Sequence, residues 1–188
     1  MLVYLDYFRV FLMITGLRDF EARSLETSVK KTLTYNGEIV QFFDASCVAG
    51  INHLLLSSVN ALKAFENKTN VSKKLGIEII LYASGQRQIN RAISMIGIKP
   101  ETEKVAVVLI GSDATSLTVA LNDFAQLIKG KIDDNVITSY DEARLDRLVH
   151  LYEITPQEIE AKAYCAKDAT ALEDLIIERV AMLGIKHT

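Results

Sequence analysis

Residues typical of linkers and of disulfide-stabilised scaffolds are scarce in this sequence. Its 188 residues include two prolines, nine glycines, no tryptophan and two cysteines, Cys47 and Cys165. So few prolines and glycines exclude a proline-rich or low-complexity linker. Because the two cysteines form neither a C-x-x-C pair nor a disulfide framework, they favour a reduced, intracellular setting. The length and the low aromatic content predict a single domain, residues 1–188, with a mainly aliphatic core.

Long hydrophobic runs are also missing. The apolar run near the N-terminus, Val10–Ile14, lies between Asp6 and Arg9 on one side and Arg18 on the other, and no small-residue cleavage site follows it. It is too short, and too closely flanked by charge, for a transmembrane helix or an export signal. We therefore expect a soluble, cytoplasmic protein that does not associate with membranes.

The familiar motifs of catalysis and cofactor binding are absent as well. The sequence contains no nucleophile elbow, no P-loop and no dinucleotide-binding glycine motif. His53, His150 and His187 lie far apart, and none has a potential metal ligand four residues later. Cys47 is more typical of a small buried hydrophobic residue than of a nucleophile. We predict a protein that is not an enzyme and binds no cofactor or metal, and we keep His53, at a helix start, as a candidate ligand contact.

The pattern of apolar residues predicts an α/β (α+β) fold. Apolar runs separated by segments of helical periodicity indicate a sheet covered by helices, with a parallel or mixed arrangement of strands, of which we expect the mixed one. The predicted strands are Tyr7–Thr15, Glu38–Phe43, Gly76–Tyr82 and Lys104–Ile110. Helices are predicted over Phe20–Leu33 and over Gly50–Phe65, the second with a buried stripe of Ile51, Leu54, Leu55, Leu62 and Phe65. A third predicted helix has Ile89, Ala92, Ile93 and Ile96 facing inward. A fourth has Leu117, Leu121, Phe124 and Ile128 on its buried face.

The last third of the sequence is predicted to be helical. Two segments have the capping-box pattern, in which a threonine precedes a glutamate by three residues: Thr155–Glu158, with proline in the first turn, and Thr170–Glu173. Each of these boxes predicts the start of a helix.

Charge is unevenly distributed, although the formal net charge is only −3 and the pI is about 5.7. That total argues against a uniformly basic nucleic-acid binder. Residues Lys63–Lys99 nevertheless include seven basic and two acidic residues, whereas Asp133–Glu178 include twelve acidic and four basic ones. Two solvated faces explain this distribution, but the basic segment also suits an anionic partner.

The segment Ser84-Gly85 is predicted to begin the helix that follows the strand Gly76–Tyr82. A helix start offers unpaired N–H groups to an anion, and glycine allows close approach. Arg87 and Arg91, four residues apart on the outward face, add guanidinium groups suited to phosphate. A nucleic-acid backbone and a small phosphorylated ligand both fit such a site, and pairing of Arg87 with an acidic residue of the same fold is the structural alternative.

Apolar residues at the end of the same helix indicate a protein contact. Met95 lies outside the predicted inward face, and Ile98 follows directly after Gly97. An apolar edge beside a polar helix face is typical of an interface, although packing under the N-terminal strand explains it equally well.

The segment EIILYASGQRQI, residues 78–89, followed by Arg91-Ala-Ile and Gly97-Ile98, resembles the signature of a known family. That family is the small, non-catalytic subunit of the KEOPS complex, called PRPK-binding protein in animals and present across archaea. The segments Asp44-Ala-Ser, His53-Leu-Leu, Gly130–Asp134 and Leu175–Leu183 also fit, so the resemblance extends from about residue 40 to the C-terminus.

The resemblance implies a function that the residues alone do not. KEOPS makes threonylcarbamoyladenosine in tRNA; another subunit carries out the transfer with an atypical kinase, and this family's member binds that kinase and holds the single-stranded 3′ CCA end. It implies an RNA site formed by Ser84, Gly85, Arg87, Gln88, Arg91, Lys73, Lys74 and His53, with Tyr82 as a further base contact, and a kinase contact formed by Met95, Ile96 and Ile98. No DNA partner is expected. The alternatives are a kinase-binding adaptor without RNA binding and a protein or enzyme that binds a small phosphorylated ligand.

Overall fold

The computed structural model describes residues 1–20, 34–35, 37–163 and 168–185. The strands are β1 (Leu2–Leu5), β2 (Val10–Arg18), β3 (Thr34–Tyr35), β4 (Glu38–Asp44), β5 (Lys104–Gly111) and β6 (Lys131–Ile132). The α-helices are α1 (Ile51–Glu66), α2 (Leu75–Ser84), α3 (Ile89–Ile96), α4 (Ala114–Leu127), α5 (Asn135–Thr138), α6 (Glu142–Leu151), α7 (Pro156–Ala163) and α8 (Asp168–Ile185), and a 3-10 turn spans Ala45–Cys47. Apart from Phe20 itself, the predicted helix Phe20–Leu33 falls outside the described residues, as does Cys165.

The strands form one sheet in the order β1-β2-β5-β4-β3, and β6 pairs with β2. Leu12 of β2 pairs with Ile110 of β5, and Phe42 of β4 pairs with Val107. Every described pairing is antiparallel, not parallel or mixed. The α/β class is thus confirmed, while the strand directions depend on long-range pairing between β2, β4 and β5.

The N-terminal strand prediction is replaced by a hairpin. Instead of one strand over Tyr7–Thr15, β1 and β2 pair in antiparallel register around a turn at residues 6–9. Arg9 closes that turn with a left-handed φ of 56°, a conformation that non-glycine residues adopt mostly in turns. Tyr7 therefore lies in the turn and not in a strand.

Strand β5 is buried on both faces. Val105, Val107 and Leu109 pack with α4, whereas Ala106 and Val108 pack with the α1 and α2 layer. Covering both faces explains why the segment is almost entirely apolar and lacks the alternation of a half-exposed strand. The predicted strands over Lys104–Ile110 and Glu38–Phe43, and the predicted buried face of α4, are confirmed.

The predicted strand Gly76–Tyr82 is wrong, because this segment is helix α2. Its residues Ile79, Ile80 and Leu81 are all buried, and a short apolar run buried on every side has the same composition in a helix as in a strand. Gly76 lets the helix approach β4 closely, since a Cβ at this position would lie 2.6 Å from the side-chain oxygen of Gln41.

Helix α1 is confirmed, but small residues form most of its buried face. The predicted stripe is only half-buried apart from Leu54. The buried residues are His53, Leu54, Ser57, Ser58, Ala61 and Ala64. Ser57 and Ser58 donate hydrogen bonds to the carbonyls of His53 and Leu54 within the helix, so small polar side chains can line a close helix contact at low cost.

Helices make up the last third of the described chain, as predicted. In the first capping box, the Thr155 N–H donates to the Glu158 carboxylate at 2.7 Å and the Glu158 N–H donates back to the threonine hydroxyl at 3.3 Å. The second box is wrong, since α8 already begins at Asp168 and Thr170 lies inside it. Among the described residues, none of the helices is both long and apolar enough to be a transmembrane span.

Candidate functional site

The segment Ser84-Gly85 ends a helix and does not begin one. Gly85 adopts a left-handed φ of 64° at the C-terminus of α2, and its N–H donates to the Tyr82 carbonyl. This geometry is a common way for a helix to end. Helix α3 begins only at Ile89, so Arg87 lies in the connection between the two helices. The predicted anion site at Ser84-Gly85 therefore lacks the helix N-terminus on which it depended.

A groove of about 580 Å³ opens beside this junction. It lies between the α2–α3 connection, the turn between α6 and α7, and α8. Its polar lining includes Arg91, Gln86, Glu153, Glu158, Glu178 and Arg179, and its apolar lining includes Met95, Leu151, Leu175 and Met182. Such a mixture of charged rim and apolar wall suits a ligand with both polar and flat apolar parts.

The acidic residues of the groove are partly neutralised by neighbouring cations. Arg179 contacts the Glu158 carboxylate at 3.0 Å, and Lys162 contacts Glu178 at 2.7 Å. Within the described part of the chain, the Arg91 side chain makes no ion pair of this kind. Its guanidinium is therefore the cation of this groove best able to receive an anionic group.

The buried rings of His53 and Tyr152 stabilise the junction between α2 and α3. The His53 ring accepts a hydrogen bond at Nδ1 from the Ala49 N–H at 3.1 Å, so Nε2 carries the proton and donates to the Ala83 carbonyl at 2.8 Å. The Tyr152 hydroxyl, 3.0 Å from the same carbonyl, also donates to it. These contacts satisfy a carbonyl in the last turn of α2, which has no partner within the helix, and they hold the end of α2 in place.

Burial of His53 predicts a loss of stability in acid. Burial lowers the pKa of His53 from 6.5 to about 4. The unfolded chain therefore takes up a proton at this site as the pH falls from 6.5 to 4, whereas the native protein does not. We therefore expect His53 to lower the free energy of unfolding by about 1.4 kcal/mol for each pH unit below 6.5, or by roughly 3 kcal/mol at pH 4. Urea unfolding of the wild type and His53→Gln at pH 7.5, 6 and 5 should show a shallower pH dependence in the variant, and parallel curves would contradict this assignment.

Ala92 and Ile96 form the buried stripe of helix α3, and different side chains lie on the two sides of this stripe. At about 100° per residue, Ile89 and Ile93 lie on one side, and Arg91 and Met95 on the other. Ile89 is 37% and Ile93 40% exposed, whereas Arg91 and Met95 line the groove. Ile89 and Ile93 thus do not face inward as predicted, and the helix offers an apolar side as well as a groove side.

Lys73 and Lys74 lie at the other end of α2 from the groove. Lys74 directly precedes α2, and Ser84 ends it, so the two ends are about 15 Å apart. The buried Glu78 carboxylate accepts the N–H groups of Val71 and Ser72 and orders the loop before these lysines. The structure therefore does not bring the two lysines together with Arg87 and Arg91.

Three of the predicted RNA contacts are buried. His53 is fully buried, with both ring nitrogens hydrogen-bonded. Ser84 borders the groove, but its hydroxyl donates to the Leu81 carbonyl. Tyr82 is buried in α2, and that burial raises its pKa. In this conformation these side chains support the site without reaching a ligand, whereas Arg87, Gln88 and Arg91 are exposed.

The predicted kinase contact also changes. Ile96 is fully buried in the core, and Ile98 is half-buried against the sheet and α4. Met95 is half-buried and lines the groove beside Arg91. The burial of Ile96 agrees with its predicted place on the inward face of α3, so in this conformation it offers no surface to the kinase that the resemblance assigned to it, whereas Ile89 and Ile93 are exposed.

The family described as kinase binding protein CGI-121 matches residues 21–184 of this chain. The chain belongs to the CGI-121 family. Among curated proteins, the regulatory protein Cgi121 of Methanocaldococcus jannaschii is 35% identical over 108 residues. That match covers 57% of this chain and 66% of the relative's length. Membership of CGI-121 confirms the family predicted from the Glu78–Ile98 segment.

Several groove residues of this CGI-121 protein were not found from the sequence. Tyr152, Arg179 and Met182 come from the turn after α6 and from α8. The capping box at Thr155 predicted a helix start close after Tyr152, but nothing local indicated that this turn meets the end of α2. Only packing of distant segments reveals these residues.

A second cleft of this CGI-121 chain has a volume of about 420 Å³, and its buried charged side chains make hydrogen bonds within the fold. Asp44 accepts hydrogen bonds from Ser46 and Thr102, and Arg144 donates to backbone carbonyls. Burial raises the pKa of the nearby Cys47 thiol, which disfavours a nucleophilic thiolate. Within the described residues, no three His, Cys, Asp or Glu side chains are grouped to hold a metal ion. We therefore assign this cleft no ligand.

Proposed function

We propose that this protein is a non-catalytic KEOPS-type subunit that binds the atypical kinase of the complex and holds the 3′ CCA end of tRNA. The observation that carries the proposal is helix α3, whose groove side bears Arg91 and whose other side bears exposed Ile89 and Ile93. The family description as kinase-binding proteins and the regulatory relative support the kinase partner. Two chemically different sides of one helix suit two different partners.

The groove side suits a single-stranded RNA end. Proteins bind such ends by cationic contacts to phosphate and by packing against the faces of unstacked bases. Arg91 and the exposed Arg87 and Gln88 next to it supply the polar contacts, and Met95 and Met182 supply apolar wall. Cytosine and adenine each carry an exocyclic amino group, so groove carboxylates can accept hydrogen bonds from all three bases of CCA.

The isoleucine side of α3 suits the kinase. Ile89 and Ile93 are four residues apart and therefore adjacent on the helix surface. Exposed aliphatic residues at such spacing are typical anchors for a helix that docks into a partner's groove. Met95, which the sequence also indicated for the kinase, lies with Arg91 in the groove, so we place it in the RNA site.

Removing the Arg91 charge should weaken end-specific binding. A charge-assisted phosphate contact contributes about 1.5–3 kcal/mol, so Arg91→Gln should lower the affinity for intact tRNA about tenfold or more. Because this contact is made to the CCA end, the affinity for the same tRNA without CCA should hardly change. Filter-binding titrations of both RNAs with the wild type and the variant measure these affinities.

Lys104→Gln is the matched control, since Lys104 is an exposed cation at the start of β5, outside the groove. It should bind intact tRNA as the wild type does. Equal, weak binding of the wild type to both RNAs would contradict the CCA site and leave a kinase-binding adaptor. The alternative hypothesis, a protein that binds a small phosphorylated ligand, depended on a helix beginning at Ser84-Gly85. These residues end α2 instead, so we do not pursue that hypothesis.

A further inference from the structure

The lysines far from the groove share one end of the molecule with the N-terminal hairpin. His53, near the start of α1, contacts Ala83, near the end of α2, so the two packed helices run antiparallel. Glu66, which ends α1, and Leu75, which begins α2, therefore lie together at the opposite end. There the Tyr7 side chain lies close enough to the Glu66 carboxylate for that carboxylate to raise the pKa of Tyr7. This contact places the hairpin turn beside the ends of the two helices.

Basic side chains predominate in the segments around this contact. The acidic residues there are Asp6 and Glu66. Five basic residues of the hairpin turn, the end of α1 and the loop before α2 are exposed: Arg9, Lys63, Lys68, Lys73 and Lys74. We call these five residues together with Tyr7 the hairpin surface. Its excess of positive charge attracts an anionic partner.

Tyr7 adds a flat aromatic group to this surface. Its side chain is 73% exposed, yet its ring packs against Phe8, whose ring centre is 5.0 Å away in an edge-to-face arrangement. A ring that is already held in place loses little conformational freedom when it stacks on a base. Exposed aromatic rings among cations are typical of surfaces that bind nucleic acid.

We infer that the hairpin surface is a second RNA-binding surface, in which the cations contact phosphates and Tyr7 stacks on a base or ribose. It receives a part of the tRNA other than the 3′ end, because the length of α2 places its lysines about 15 Å from the groove. The inference rests on the proposed function only in taking tRNA as the ligand. Tyr7 and Arg9 precede residues 21–184, which the family matches, whereas the four lysines of the hairpin surface lie within that range.

Titrations with intact tRNA and tRNA lacking CCA, each at several salt concentrations, test this inference. The double variant Lys73→Gln/Lys74→Gln should bind both RNAs about tenfold more weakly, and the slope of log affinity against log salt should fall by about one to two. Tyr7→Leu should weaken both by about fivefold or more with little change in that slope. Tyr4→Leu, an exposed aromatic on β1 that packs against Phe11 instead, is the matched control and should bind normally.

The outcomes separate this inference from the CCA site. If the wild type prefers intact tRNA but the hairpin variants bind like the wild type, the hairpin surface is refuted and the CCA site stands. If the wild type shows no preference for CCA but the hairpin variants lose affinity for both RNAs, the CCA site fails and the hairpin surface stands. Loss of kinase binding without loss of RNA binding in these variants would overturn the inference in favour of an acidic protein partner.

Discussion

Replacing Arg144 with leucine should lower the free energy of unfolding by about 4 kcal/mol or more, the largest stability effect we expect from one substitution. The buried guanidinium donates to the carbonyls of Val136, Ile137 and Ser139 around α5 and to that of Val48 after the 3-10 turn, at 2.5–3.0 Å. Hydrogen bonds to a charged group contribute about 1.5–3 kcal/mol each, and buried carbonyls left without donors are costly. Leucine would leave four such carbonyls without this donor.

Urea unfolding at 25 °C measures this loss. Arg144→Lys keeps the charge but replaces a five-donor planar group by a compact ammonium, so most of the four contacts should still be lost. Arg147→Leu is the matched control, because Arg147 is exposed one turn later in the same helix and should change the stability by less than about 0.5 kcal/mol. Equal midpoints for Arg144→Leu and Arg147→Leu would refute the role of Arg144 in joining α5, α6 and the 3-10 turn.

The variant Ile93→Glu should bind the kinase at least about 30-fold more weakly than the wild type. The proposed contact buries the apolar side of α3, and a carboxylate in its centre would have to be desolvated without a partner. Truncation of a central apolar anchor commonly costs 2 kcal/mol or more, and an added charge costs more. Because Ile93 is 40% exposed in the free protein, we expect the variant to fold normally.

Calorimetric titration of the cognate atypical kinase with each protein measures this effect. Val119→Glu is the matched control, since Val119 is 49% exposed on α4, elsewhere on the surface. It should bind as tightly as the wild type. Kinase affinity unchanged by Ile93→Glu would exclude this side of α3 from the interface. Ile96→Glu cannot serve here, because Ile96 is fully buried and the substitution would unfold the protein.

The elements predicted correctly are those whose environment follows from the local pattern. Strand β5 is apolar at every inner position because both of its faces are covered, and α4 shows one clear apolar stripe. The capping box at Thr155–Glu158 needs only residues three apart, so it could be recognised without tertiary contacts. The α/β class and the helical last third followed from these signals.

The site itself could be predicted only in part. The segment 78–98 identified the family and pointed to Arg87, Gln88 and Arg91, which are exposed beside the groove. It misplaced Ser84-Gly85, because α2 was taken for a strand and its C-terminal glycine for the start of the next helix. On α3, Ala92 and Ile96 are buried as their spacing predicted, whereas Ile89 and Ile93, also expected to face inward, are exposed. The kinase role of Ile96 came from the resemblance and not from the residue pattern, and its burial leaves the exposed isoleucines as the apolar side of this helix.

The sequence by itself determined the family, the composition of the core and the presence of a cationic segment between residues 63 and 99. Tertiary structure decided where those charges lie, because the antiparallel packing of α1 on α2 sends Lys73 and Lys74 to one end and Arg91 to the other. It also brought Tyr152 and α8 to the end of α2 to complete the groove. The physical reason is that the periodicity of apolar residues indicates which side of a helix or strand is buried, but it does not identify the distant segment that packs against that side.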